Sequence, residues 1–495
     1  MSADTELGTR VGKGLAWSLA NGLVLRLGTF VVGIALARIL APEDFGVFAI
    51  ALTVQTILMN LADLGLAADL VRHGDLPTRG PTIATLSAVS SSVLALTMAV
   101  SAGAVTTALG SSDATGAVRL MAVTILFAGI GVVPYAHLQR EFMQKQLFLI
   151  ESASFVIFTT LSVTLAVAGM GALALAIARV VSQAVATCLQ FRLSRQPLRF
   201  GWDADIARSG IRFGLPLACA GLLALTLLNL DYVLVGHAAG VVTLGFYVLA
   251  FNISSWPTTL VGSAIRAVAM PAFAHRERSL GARDHQGVVA ATGLTLAVAL
   301  PVGAALTVMA TQTIEVVYGS RWLPAASALA GLAVFGVLRV VFDLWVAFLT
   351  SCGDSVALLW TQAMWIVVLG PVMYVAIRLE GLRGAGWSHA LVAAGVMLPL
   401  YLVAMRRVGV PARDLLRSFV PSIIAILPAT AAGWFVSDHI GPPFLAVLGG
   451  GTALLACYGA LIWPWLRRQP AAKSLRRPRR RAQHEPRTSY SEGAS

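Results

Sequence analysis

Four arginines, Arg26, Arg179, Arg266 and Arg339, stand within long apolar stretches, and two aspartates, Asp231 and Asp343, are set as deeply. An arginine near the middle of a membrane-crossing helix costs about 2.5–3.5 kcal/mol on insertion scales, so such residues are expected to face a bundle interior or a water-filled cavity. Arginine also suits one class of ligand, because its planar fork makes paired, charge-assisted hydrogen bonds to phosphate oxygens. The four guanidiniums are therefore candidate contacts to an anionic, phosphate-bearing ligand, and the two aspartates are candidates for carrying a proton or touching a polar ligand. Each has a competing structural reading. Arg26 can pair with Asn21 or with a carbonyl on another helix. Arg179 stands evenly between function and structural pairing. Arg266, near one end of its stretch, can snorkel to the interface. Arg339 has Asp343 one turn later, and an i,i+4 pair can neutralise itself, which favours structure. Asp231, in "LDYVLVG", either ends a helix or meets cargo.

Catalysis has little to stand on. No Gly-rich phosphate loop occurs in a nucleotide-binding context, and no Ser/His/Asp arrangement is spaced for nucleophilic work. "GAGWSHA" (384–390) superficially looks like a nucleophile elbow but lacks the G-x-S-x-G spacing and opens an apolar span. The four cysteines, Cys188, Cys219, Cys352 and Cys457, are scattered singly with no metal-ligand spacing. The expectation is a protein that is not an enzyme, with no catalytic residue, no metal site and no cofactor, and with any coupling ion unspecified.

The elements that must position these residues are membrane helices. The 495-residue chain is 57% hydrophobic and 12% charged, with mean hydropathy +0.79; a soluble domain carries about 25% charged residues. A helix crosses a core of about 30 Å with roughly 20 apolar residues. Fourteen such runs are legible, at about 15–37, 45–67, 83–108, 117–137, 147–168, 171–191, 212–236, 241–268, 288–312, 326–350, 355–377, 384–405, 417–437 and 442–465. The first is too long for a signal peptide and is expected to be retained. With both ends of the chain cytoplasmic, 27 of the 36 Lys and Arg residues fall in inside segments and five outside, as the positive-inside rule requires. Losing one span would scramble that alternation.

The turn "APED" (41–44) is then an outside hairpin, with Pro42 in the first helical turn and Glu43 and Asp44 at its positive dipole end. The tail from residue 467 is polar, basic and Pro-containing; disorder and contact with anionic inner-leaflet lipids are expected of it, and a nucleic-acid role is not.

The chain repeats itself. A shift of 199 residues aligns Phe45-Gly46 with Leu244-Gly245, Phe48 with Tyr247, and Ala51 with Ala250. Six spans separate the two copies, so both halves enter the membrane in the same direction. The expected fold is all-α and polytopic, with about 14 transmembrane helices in two parallel six-helix lobes plus two trailing helices. Its divisions are a cytoplasmic N-terminus (1–14), a first lobe (15–200), a second lobe (201–410), helices 13 and 14 (411–466) and the tail (467–495). Transporters of this build bind substrate between halves.

"LARILAPEDFG", "DLGLAADLVRHGD", "LQREFMQKQLF" and the stretch from "LDYVLVGHAAG" to "AIRAVAMPAF" resemble the polysaccharide transporter branch of the multidrug/oligosaccharidyl-lipid/polysaccharide exporter superfamily, the Wzx-type flippases. The resemblance covers roughly residues 10–405. It implies the two-lobe fold and translocation of an undecaprenyl-diphosphate-linked oligosaccharide across the cytoplasmic membrane by alternating access, with a polymerase and glycosyltransferases as functional neighbours. It raises Arg26 and Arg266, because related lipid-diphosphate flippases hold phosphate with arginines on these two helices. The sugar is not specified. The alternative is an ion-coupled multidrug exporter of the same superfamily. Cationic drugs favour carboxylates in the first lobe, where Asp63 and Glu151 lie near interfaces while Arg26 and Arg179 lie deep, so the balance favours an anion site.

Overall fold

The computed structural model describes residues 28–29, 31–63, 66–73, 75–141, 143–256, 285–352 and 355–468. After a helical stretch at 31–39 come α1 (Pro42–Asp63), α2 (Leu66–His73), α3 (Leu76–Ala108), α4 (Ala114–Ile130), α5 (Val132–Arg140), α6 (Gln144–Val167) and α7 (Ala172–Ser194). The chain continues through α8 (Ala204–Ala239), α9 (Val241–Ser254), α10 (His285–Val308), α11 (Ala310–Tyr318), a 3₁₀ turn (Ser320–Ala325), α12 (Ala326–Ser351) and α13 (Ser355–Val392). A π-helical stretch, Ala393–Met397, leads into α14 (Leu398–Arg407), followed by α15 (Ala412–His439) and α16 (Pro443–Leu466). Among the described residues all regular structure is helical, and nine helices are long and apolar enough to cross a membrane, ten if α4 and α5 count as one broken span. The protein is a multi-pass membrane protein of the expected fold class.

Two departures from the expected spans have local causes. The span at 117–137 is bent by 51° between α4 and α5. Pro134 has no N–H to give the Ile130 carbonyl, which frees the helix to bend there. In α13 the chain is helical on both sides of Gly381, whose φ of 58° and ψ of −131° suit glycine alone. This residue divides the element into two helices, in line with the separate spans expected at 355–377 and 384–405. Most of the span at 15–37, the end of that at 241–268 and the tail lie outside the described residues.

The described helices form two compact units, one of the described residues up to 256 with 310–336 and 359–399, and another of 285–309, 337–352, 355–358 and 400–468.

In the first unit the repeat has a physical expression. α1 and α9 pack so closely that a Cβ on Gly46 would overlap the Val241 carbonyl, and a Cβ on Gly245 would overlap the Pro42 carbonyl. The same 199-residue shift relates Gly46 to Gly245 and Pro42 to Val241, so the contact is reciprocal about a local two-fold axis. Trp322, fully buried, donates from Nε1 to the Ala37 carbonyl at 2.6 Å and stands edge-on to Phe45 and Phe246. Arg38 donates to the Val316 and Val317 carbonyls at the C-terminus of α11, complementing its dipole. Asp44 does more than the expected dipole role: its carboxylate accepts from Ala41 N and from Ala172 N, both at 2.9 Å, and so also caps α7. At the arginine-rich end, Arg79 pairs with the fully buried Asp69 at 2.6 Å and donates to Ser209 at 3.0 Å, joining α2, α3 and α8.

The second unit is held by rings and close helix approach. Trp345 packs against Phe342, Tyr401 and Phe419 and donates to Thr292 Oγ1 at 2.9 Å. α10, α15 and α16 share an apolar core of Ala297, Ala425, Ile426, Ala429, Leu454 and Ile462, into which Tyr458 donates to the Ala297 carbonyl. Gly433 and Gly450 let α15 and α16 touch along small residues, the usual device where lipid supplies no hydrophobic drive. Ile424, Leu427, Leu448 and Leu455 are exposed, as expected of helix faces solvated by lipid.

Candidate functional site

Helix α7 begins under the Asp44 cap and carries Arg179, Gln183 and Gln190 at i, i+4 and i+11, which returns them to one face. Gln183 and Gln190 line a cavity of about 250 Å³ in the first unit, with Met59 from α1, Tyr135 from α5 and small residues such as Gly129 and Gly131 that leave the space open. One turn before Met59, Gln55 is 1% exposed; its Nε2 donates to Thr124 Oγ1 at 2.7 Å, while its Oε1 has no hydrogen-bond partner among the described residues. Arg179 is half-buried, and its Nε also lacks a partner among the described residues. Leaving such a group buried and unpaired costs about 1–3 kcal/mol, more when charged, so these atoms are where water or a ligand is expected. The lining offers amides, suited to hydroxyl groups, and the Arg179 guanidinium, suited to phosphate oxygens, stands on the same helix face outside that lining.

A second cluster lies on α8, α9 and the second half of α13. Asp231 and His389 are each 4% exposed and Tyr247 is fully buried. The Tyr247 hydroxyl donates to Asp231 Oδ2 at 2.9 Å and lies 2.8 Å from His389 Nε2; carboxylate and imidazole are 3.8 Å apart. The imidazole is ringed by Phe335 at 4.9 Å, Phe251 and Trp365 at 6.0 Å, and Tyr247 at 6.4 Å between centroids.

The structure thus places Arg179 beside the cavity helix face and Asp231 in a buried polar cluster of the same unit. α8 runs on to Ala239, so Asp231 does not end the helix. Arg339 and Asp343, on α12 in the second unit, are both half-buried, but the ion pair expected between them is not among those formed by the described residues. Arg26 and Arg266 lie outside the described residues.

Sequence reasoning passed over Gln55, Gln183 and Gln190, because neutral amides leave little mark on a hydropathy profile. It also passed over Tyr247 and His389. Two signals were available for these: Tyr247 carries a hydroxyl where its repeat mate Phe48 has none, and His389 is a lone titratable group in the span at 384–405.

Known proteins bear on what such an arrangement serves. The model of the family described as polysaccharide biosynthesis protein matches residues 35–327, more than half of the chain. The succinoglycan biosynthesis transport protein ExoT of Rhizobium meliloti (strain 1021) is 26% identical over 455 residues, covering 90% of each chain. The teichuronic acid biosynthesis protein TuaB of Bacillus subtilis (strain 168) is 26% identical over 337 residues, covering 67% of this chain and 69% of its own. In fold, the chain is similar to the lipid II flippase MurJ in an inward closed conformation, with a TM-score of 0.73 over 92% of this chain and 100% of that one at 12% identity.

Proposed function

Because this chain belongs to the polysaccharide biosynthesis protein family, we propose that it is a flippase for a lipid-linked oligosaccharide, carried on undecaprenyl diphosphate, in the assembly of cell-surface polysaccharide. The observation that carries the reading is the α7 face, where the Arg179 guanidinium continues into the Gln183 and Gln190 amides of the cavity wall. Arginine recognises the dianionic diphosphate and the amides meet sugar hydroxyls, while the prenyl tail stays in lipid. Arg26, Arg266 and Arg339 are the further phosphate contacts in this reading, and Asp343 joins Asp231 as a carboxylate that meets sugar or couples transport. The cavity lining includes no carboxylate among the described residues, which supports phosphorylated cargo over the cationic substrates of a drug exporter. The site is the cytoplasmic membrane, with both termini inside. The basic tail binds the anionic inner leaflet at about 1 kcal/mol per basic residue near the surface. The work is transport without bond chemistry, between glycosyltransferases that build the cargo and a polymerase that consumes it.

Proteoliposomes holding the full chain and a labelled undecaprenyl-diphosphate-linked oligosaccharide test this directly. The label should become accessible at the opposite leaflet at a rate that scales with protein. Accumulation of a cationic dye with no movement of the lipid-linked cargo would replace the flippase by the drug exporter.

A further inference from the structure

One wall of the first-unit cavity is set by the bend between α4 and α5. Gly131, at the bend, has φ of −78° and ψ of −5°, values open to any residue, so its backbone does not call for glycine. A neighbour does: a Cβ at this position would overlap Gln190 Oε1. The Phe127 carbonyl, one turn earlier, accepts from Gly131 N and from Thr187 Oγ1, both at 3.0 Å. Thr187 stands on α7 three residues before Gln190, so a hydrogen bond ties this part of α7 to the bend, and the missing side chain lets the Gln190 amide lie against it. We propose that the cavity takes a single sugar ring, that Gln183 and Gln190 determine which ring is accepted, and that Gly131 is a positioning residue acting through the Gln190 amide. That the ring arrives on a lipid carrier rests on the flippase reading above; that the cavity holds it does not.

Size and spacing fit one ring. A volume of about 250 Å³ is the share of about eight waters at ~30 Å³ each, and it lies below the ~300–1,000 Å³ of sites for drug-sized ligands. One pyranose fits, and an oligosaccharide does not. Gln183 and Gln190 are two turns apart on α7, which sets their Cα atoms about 10 Å from one another along a single face. Both side chains line the same cavity, so their amides reach opposite edges of a ring held between them.

The chemistry of the lining suits hydroxyl configuration. Each amide offers a carbonyl acceptor and two N–H donors, and neighbouring ring hydroxyls donate and accept in the same pattern. Inverting one hydroxyl loses that match. Met59, Ala128 and Val132 give apolar surface for the C–H face of a sugar, and the Tyr135 hydroxyl, which accepts from Gln139 Nε2 at 2.8 Å, adds a third polar group. One neutral hydrogen bond is worth about two- to tenfold in affinity, and a preference of that size between epimers is the expected consequence.

The experiment begins without lipid-linked cargo. Full-length protein in lipid nanodiscs is titrated with the methyl glycosides of glucose, galactose and mannose, read by ligand-detected NMR. Wild type should prefer one of the three by about two- to tenfold. Gln183→Ala and Gln190→Ala should each bring that preference toward unity at an unchanged thermal midpoint. No binding of any of the three, equal binding of all, or a preference that survives both substitutions would overturn the sugar site. Gly131→Ala should weaken the preference as Gln190→Ala does and should add nothing in the Gln190→Ala background, where the amide it displaces is gone. A further loss in that background would assign Gly131 to the shape of the bend and overturn its positioning role. A second arm follows, in proteoliposomes, labelled undecaprenyl-diphosphate-linked oligosaccharides built with the preferred hexose or with its epimer. Wild type should move the preferred form faster by a similar ratio, and Gln190→Ala should move both alike; a ratio unchanged in Gln190→Ala overturns the role in transport. If wild type moves neither form, the flippase reading fails, and the glycoside titration still decides the sugar site.

Discussion

In the first unit, buried side chains pair as Arg79 with Asp69, Gln55 with Thr124, and Asp231 with Tyr247 and His389. At similar depth in the second unit stand Phe342, Trp345, Tyr401 and Phe419, and polar atoms serve single links such as Trp345 to Thr292 and Tyr458 to Ala297. Aromatic packing gains dispersion and buried area with no desolvation to offset. Buried ionisable groups bring a large desolvation cost, and an apolar replacement of similar volume is often as stable or more so. The described part of the first unit therefore carries features that stability alone does not call for, while in the second the aromatic core around Trp345 reads as scaffold.

The largest expected effects would break this contrast. Arg26→Ala and Arg266→Ala should each abolish glycan export with the protein retained in the membrane, and lysine at either position should restore only part of it, since the fork is lost. Wild-type export at equal abundance would remove both arginines from the site. Next, Trp345→Ala should destabilise by about 3–5 kcal/mol, in the range for a buried aromatic. A lowered thermal midpoint with unchanged transport per folded molecule is the expected reading, and selective loss of transport would contradict the scaffold role. Arg179→Ala should lower transport by about tenfold, equivalent to about 1.4 kcal/mol, with an unchanged midpoint, whereas a structural arginine would move the midpoint first. The smallest change is Gln183→Ala, expected to cost about two- to threefold in transport, as for one neutral hydrogen bond; larger losses with longer glycans would sharpen the amide-to-sugar assignment.

The pattern of apolar runs and basic loops anticipated the helical class and most helix positions, because crossing lipid demands length and apolarity that composition displays openly. The 199-residue repeat anticipated the parallel arrangement, and the packing of Gly46 on Val241 and of Gly245 on Pro42 expresses it. The bend at Gly131 was in principle legible from Pro134, three residues on. For the candidate site, single charges in apolar runs pointed to Arg179 and Asp231 but not to their company. Arg339 and Asp343 had ideal spacing on one helix, yet a pair between them is not among the ion pairs of the described residues; spacing sets proximity of backbones and packing sets where side chains go.

Sequence alone determined that this chain is a set of membrane helices and, for most of the described ones, roughly where they run. Each of those properties is local, fixed by the transfer cost of consecutive residues. Tertiary structure decided which deep groups meet. Asp231, Tyr247 and His389 are separated by up to 158 positions yet share hydrogen bonds, and Gln55 reaches Thr124 across two helices. Such partnerships depend on the rotation and contact of whole helices, set by glycine approach, ring packing and capping far from the groups themselves.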